Sequence, residues 1–175
     1  MTLILRLIAL AAFGLLAGSA SAIAQPAGPT LLGTFDAWEA YKTDDTTNKR
    51  GAVCYAVTQP QTKEPAAAKR DPIYFLITTW PKAKINNEPS VVIGYTFKPG
   101  AEATVQVGSD KFTFFTKADG AWLQSNADEA RLITAMRSNS EMTVKGMSAR
   151  GTLTSDTYSL KGISAALDKV TEGCK

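Results

Sequence analysis

The sequence predicts a mainly β protein, a single antiparallel β-sandwich with two short helices. Three observations predict it. Short runs rich in Val, Ile, Thr, Tyr, Phe and Trp recur along the chain between Gly, Pro, Asn and Asp turn signals. Only two segments, one beginning near Asn126 and one near Ser164, place apolar residues at helical spacing. Strands and helices do not alternate as a parallel sheet requires. At 175 residues, 45% hydrophobic and 20% charged, the chain has the composition of a globular protein and length enough for one well-buried core.

Residues 1–24 read as a secretory signal peptide rather than as structure. Arg6 supplies the positive n-region and Leu7 to Ala17 the apolar stretch. The small residues Gly18 to Ala24 offer two A-x-A cleavage sites, of which the one after Ala24 is favoured. The run is long enough to raise a membrane anchor as the alternative, but it passes into Gln25, Pro26, Gly28 and Pro29 with no basic stop-transfer cluster. No transmembrane anchor is therefore expected after cleavage, and residues 25–32 form a mobile, Pro/Gly-containing leader.

The domain, residues 33–175, follows element by element. Phe35 to Tyr41 reads as a first strand, then a polar loop to Gly51. Ala52 to Thr58 alternates as a second strand and carries Cys54. The stretch from Gln59 to Pro72 holds too much proline and charge for a strand. Ile73 to Trp80 is an unbroken run of β-formers, as in a strand buried on both faces, and Pro81 stops it. Ser90 to Phe97 is another strand. Ala103 to Val107 and Lys111 to Thr116 flank Gly108-Ser109-Asp110, a hairpin signal. Asp119-Gly120 turns the chain into Ala121-Trp122-Leu123. Asn126 is placed to cap a helix running to Arg137, with Asp128 and Glu129 in its first turn where the helix dipole favours them. Glu141 to Met147 and Thr152 to Leu160 are two further strands. Ser164 to Thr171 is a short helix that Gly173 ends.

The chain has 19 Lys+Arg, 16 Asp+Glu, two cysteines and no histidine. Absence of histidine removes Ser-His-Asp and Cys-His nucleophile systems and His-based zinc sites. A net charge of +3 is too small a field to argue for nucleic acid. Export makes Cys54 and Cys174 a predicted disulfide, with two free thiols or an intermolecular link as the alternatives. By chain-entropy arguments such a staple is worth roughly 4–5 kcal/mol at most. Val57 stands where a C-x-x-C redox motif needs its second cysteine.

Other constellations are weak. Thr79-Trp80-Pro81-Lys82 has the S/T-x-x-K spacing, but Pro81 interrupts the helix which that motif opens. Asp44/Asp45 reads as solvated loop and lacks the alternating ligands of a calcium loop; Asp128/Glu129 lacks the separation of a glycosidase pair. Lys63, Lys69 and Arg70, with Lys49 and Arg50 nearby, form a modest basic loop. It is a candidate contact patch for an anionic surface, or simply solvated loop. The aromatic residues Trp38, Trp80, Trp122, Tyr74, Phe75, Phe112, Phe114 and Phe115 are core material first and groove second. Phe114 and Phe115 must point to opposite faces of their strand, and an exposed one marks a partner surface. No catalytic, cofactor or metal residue is identified.

Several strings in order and spacing resemble a known family. Gly33-Thr34-Phe35-Asp36-Ala37-Trp38 followed by Val53-Cys54-Tyr55-Ala56 is similar to the opening of the invasion-associated locus B (IalB) proteins exported by alphaproteobacteria. Arg70 to Phe75, Asp119-Gly120-Ala121-Trp122-Leu123, Met142 to Thr152, and Ala165 through Cys174 resemble its later segments. The likeness covers roughly Gly33 to Lys175. It implies an exported, immunoglobulin-like β-sandwich, and it brings no catalytic residues. Some members carry an additional cysteine just downstream of the position of Cys54; this sequence lacks it, so a bridge using that thiol does not carry over. The expectation is a non-enzymatic protein of the periplasm, outer membrane or medium, acting by contact with a protein, an envelope component or a host cell, without cofactor. The alternative is a periplasmic structural or chaperone-like envelope-stress factor with no host role.

Overall fold

Trp38 decides how the chain enters the fold. Its ring is fully buried and its indole N–H donates to the Ser159 carbonyl at 3.0 Å, so the residues before it turn back on themselves. The turn falls at Asp36–Ala37, with Asp36 at φ 49, a left-handed conformation that Asp tolerates better than most residues. The computed structural model, which describes residues 28–43 and 51–175, shows a hairpin of β1 (Thr30–Phe35) and β2 (Trp38–Thr43), with Phe35 opposite Trp38. Two expectations change here. The single strand from Phe35 to Tyr41 is two strands and a turn, and the leader expected over 25–32 gives way to β1 at Thr30. The expected signal peptide, together with Asp44, Asp45, Lys49 and Arg50, lies outside the described residues.

The strands that follow are β3 (Val53–Thr58), β4 (Thr62–Glu64), β5 (Tyr74–Trp80), β6 (Ile85–Val92), β7 (Ala103–Val107), β8 (Asp110–Lys117), β9 (Gly120–Trp122), β10 (Glu141–Met147) and β11 (Leu153–Ser159). β4 corrects the reading of the Gln59–Pro72 stretch as strand-free. Between Pro60 and Pro65 three residues suffice to pair with β11, and a sheet edge is where proline and charge are tolerated. β6 begins five residues before the expected Ser90 and holds Pro89 opposite Ile77; the chain leaves the sheet after Val92 rather than at Phe97. The outward residues of β5, Tyr74, Leu76, Thr78 and Trp80, are half-buried rather than covered. The first helix, α1 (Asn126–Ser138), is capped by Ser125, whose Oγ accepts from the Asp128 N–H, and not by Asn126. The second, α2 (Ile163–Gly173), ends where Gly173 predicts.

Among the described residues the eleven strands join one antiparallel sheet, in the order β1-β2-β3-β5-β6-β9-β8-β7-β10-β11-β4. β8 is the strand through which the sheet doubles over. Its residues 110–114 pair with β7 and its residues 115–117 with β9. The inward faces of the two halves then meet, which ring contacts record directly. Phe75 of β5 lies 6.5 Å from Phe114 of β8 and 6.0 Å from Tyr158 of β11, strands far removed in sheet order. Trp38 joins them at 6.3 Å. Mainly antiparallel β with two helices is therefore as predicted, with one continuous sheet where a sandwich has two.

The helices close what the sheet leaves open. α2 buries Ile163, Ala166, Leu167 and Val170 and packs on β1, β2 and β3. Its entry requires Gly162, which sits at φ 92 and whose missing Cβ would lie 2.0 Å from the Phe35 carbonyl oxygen. α1 contributes Leu132, Ile133, Ala135 and Met136 to the same core.

Candidate functional site

The basic residues singled out by the sequence do not form one surface. Lys63 and Lys69 are exposed, but the Arg70 side chain is only 5% exposed and points inward, which corrects its place in the contact patch. Its Nη1 and Nη2 donate to the two carboxylate oxygens of Asp156, each at 2.6 Å. Nη2 and Nε also donate to the Ile93 carbonyl at 2.7 and 3.1 Å. The guanidinium carbon lies 5.1 Å from the centre of the Tyr95 ring, and the Tyr95 hydroxyl bonds Thr154 Oγ1 at 2.7 Å.

The physical reason for this arrangement lies on β11. Thr154, Asp156 and Tyr158 are its inward positions, so Asp156 is a fully buried carboxylate, which no fold keeps ionised without a partner. Arg70 supplies both charge and a planar fork that matches the carboxylate. The adjoining Asp71 N–H donates to the Gly94 carbonyl at 3.0 Å. Together these bonds latch the segment after β4 to β11 on one side and to the end of β6 on the other. A guanidinium held this way is not free to bind a ligand. Sequence reasoning missed Asp156, Tyr95 and the Ile93 carbonyl. The available signal was an Asp at an inward position of a β-former run, which calls for a buried cation.

Burial raises the pKa of the Tyr95 phenol, opposed by the Thr154 hydrogen bond and the Arg70 charge. Burial likewise pushes the Tyr158 phenol far up, with the Asp156 charge adding to it. The Tyr158 hydroxyl has no hydrogen-bond partner among the described residues.

The predicted disulfide is present. Cys54, inward on β3, joins Cys174 at the end of α2, with S–S 2.08 Å and Cα–Cα 5.9 Å. It fastens the last helix to the inner face of the sheet.

Clefts and reactive groups do not converge. Thr79 and Lys82 of the S/T-x-x-K string are separated in role: Thr79 is buried and its Oγ1 accepts from the Asn87 N–H, whereas Lys82 is exposed in a 3₁₀ turn, Pro81–Ala83. A cleft of about 500 Å³ lies between residues 84–88 and α1, with Glu88 and Glu129 in its wall. Desolvation raises the pKa of the Glu129 carboxyl, and the Glu88 charge adds to it. Asp128 pairs with Arg131 at 3.0 Å on the helix surface. No group of three or more potential metal ligands occurs among the described residues, and no helix there is long and apolar enough to cross a membrane. Of the aromatic residues, Trp38, Phe75, Phe112 and Phe114 are core, while Phe115 is 45% exposed and packs beside Trp122.

Residues 38–171, from the buried Trp38 of β2 to the last turns of α2, match the family described as invasion associated locus B (IalB) protein. The chain belongs to the IalB family. No curated protein matches it, and no solved structure does. The IalB match includes the whole Arg70–Asp156 latch and Cys54; Cys174 lies just beyond its end.

Proposed function

We propose that this IalB protein is exported, carries no enzymatic activity, and works by surface contact at the bacterial envelope or with host cells. The observation that carries the reading is the Cys54–Cys174 disulfide. A bond between distant cysteines in a fold of this kind belongs to an oxidising compartment, which agrees with the signal-like residues 1–24. The chemically capable side chains support it too: Arg70 and Asp156 are consumed by each other, and Thr79 and Lys82 stand apart. The immunoglobulin-like arrangement implied by the family resemblance belongs to the same reading, supported by the way the two halves of the sheet meet through Phe75, Phe114 and Tyr158.

Fractionation of native cells into cytoplasm, periplasm, outer membrane and medium tests it. The expected result is a processed protein outside the cytoplasm, most of it in the periplasm. Full-length protein confined to the cytoplasm contradicts it. A deletion strain challenged with detergent and oxidant in pure culture should grow as the parent does; envelope failure there would favour the housekeeping alternative.

A further inference from the structure

The residues from Ile73 to Trp80 read as a strand buried on both faces, yet the fold covers only one of them. On the outward side β3 presents Val53, Tyr55 and Val57, and β5 presents Tyr74, Leu76, Thr78 and Trp80, all half-buried. An antiparallel sheet with one face in water turns polar side chains outward; these two strands turn mostly apolar ones. Their neighbours extend the pattern. Tyr41 of β2 stacks on Tyr55, with ring centres 5.5 Å apart and planes inclined by 19°. Leu31 of β1, 51% exposed, stands opposite Tyr41 in register. Both helices send their buried residues into the core on the inward side, so among the described residues no element lies over this face.

The face is continuous. β2, β3, β5 and β6 pair in register, so Glu39, Val57, Leu76 and Ser90 form one row across it and Tyr41, Tyr55, Thr78 and Glu88 the next. Glu39 and Glu88 are the charged residues of these rows, and Glu39 already accepts from the Tyr41 hydroxyl at 2.8 Å. Neither row holds a Lys or Arg, so an anionic membrane surface or a nucleic acid finds no complementary charge there. The midline of the rows falls between β3 and β5. A two-fold axis along that midline lays β3 over β5 of a second copy, and β2 over β6. Val57 then meets Leu76, Tyr55 meets Thr78, Glu39 meets Ser90, and Tyr41 meets Glu88. Each carboxylate faces a hydroxyl and no like charges meet, so the face is complementary to itself.

We propose that this outward face joins two copies of the chain, sheet against sheet, in a weak two-fold dimer. β1 and β9 extend the overlap to six adjacent strands. Six strands at about 4.8 Å and six residue steps at about 3.3 Å make a face of about 29 by 20 Å, or about 1,150 Å² in projection from two copies. That clears the lower limit of a specific interface and falls short of the standard size, as a dimer of micromolar affinity does. Pairing also gives β5 the second covered face that its composition calls for.

The test is sedimentation equilibrium of the processed, disulfide-bonded protein from about 1 to 300 µM, with melting measured on every variant. The parent should pass from monomer to dimer across this range. Val57→Glu and Leu76→Lys, made separately, should each weaken association about tenfold or more, because each sets a charge against an apolar side chain. Mixed in equal amounts, the two variants should associate more tightly than either does alone. The mixed dimer sets the two introduced charges, of opposite sign, against each other and keeps one Leu76–Val57 contact. Ser90→Lys changes a half-buried polar position outside the core and keeps the test open should the other variants not fold. By facing Glu39 it should tighten the dimer about threefold at low ionic strength. The proposal is overturned if the parent stays monomeric throughout, or if it forms assemblies larger than a dimer. It is equally overturned if Val57→Glu and Leu76→Lys dimerise as the parent does, if their mixture gains nothing over either alone, or if Ser90→Lys fails to tighten association. Binding of a different protein by this face while the parent remains a monomer also overturns it.

Discussion

Replacing Asp156 with Ala removes a carboxylate that is fully buried and leaves the Arg70 guanidinium, itself 5% exposed, with the Ile93 carbonyl as its remaining hydrogen-bond acceptor. Two short charge-assisted bonds are lost and a cation stays behind in a low-dielectric interior, a situation that costs about 3–5 kcal/mol. Arg70→Ala strands the carboxylate instead and should cost a comparable amount. For a chain of this size each kcal/mol moves the melting temperature by about 2–4 °C, so either single variant should melt roughly 6–20 °C below the parent. Replacing both at once, Arg70→Met with Asp156→Leu, removes the charges together and should recover a large part of the loss, because apolar pairs of similar volume are about as stable as buried ion pairs. Thermal denaturation followed by circular dichroism, with the disulfide intact, compares the parent, the two single variants and the double variant. A melting temperature for Asp156→Ala close to that of the parent, or a double variant as unstable as the two single losses added, would refute the latch. Lys63→Gln and Lys69→Gln serve as controls and should leave melting unchanged.

Three other outcomes are expected. Cys54→Ser or Cys174→Ser, or reductant on the parent, should lower stability by up to about 4–5 kcal/mol, the chain-entropy value for residues separated by 120 positions; equal melting with and without reductant would deny the staple. Tyr158→Phe deletes a buried hydroxyl that has no partner among the described residues, so it should leave stability unchanged or raise it by about 1 kcal/mol, and a clear loss would mean the hydroxyl is bonded. Glu129 has a pKa raised in the folded state, so its contribution favours folding below the ordinary glutamate value and is withdrawn as pH rises through the folded value. Glu88→Gln should bring the Glu129 pKa down, as read by NMR titration of its carboxyl carbon, and an unchanged titration would mean that the Glu88 charge does not reach it.

The strands β3, β5, β10 and β11, and both helices, were legible because their composition and periodicity are local, although β5 read as buried on both faces and is half-exposed on one. Sheet order was not, since nothing in residues 110–117 announces that one strand serves two partners through its two halves. The turn at Asp36–Ala37 was hidden by aromatics at Phe35, Trp38 and Tyr41, which read as one strand; only the burial of Trp38 against β11 forces the reversal. β4 escaped because three residues between prolines carry no periodic signal and pair only where β11 offers an edge. At the site, the pairing of the two cysteines was legible from the expectation of export. Arg70 was misplaced because a basic string looks solvated until its partner, remote in sequence, is known to face inward.

As proposed, this chain leaves the cytosol, loses its first segment, and folds around one oxidised pair of cysteines. Intact-mass measurement of the protein purified from its native host under alkylating conditions tests this most directly. The expected mass is that of the chain from Gln25 to Lys175, less one hydrogen from each cysteine and without alkylation. A mass that includes Met1 onward, with both thiols alkylated, would contradict it.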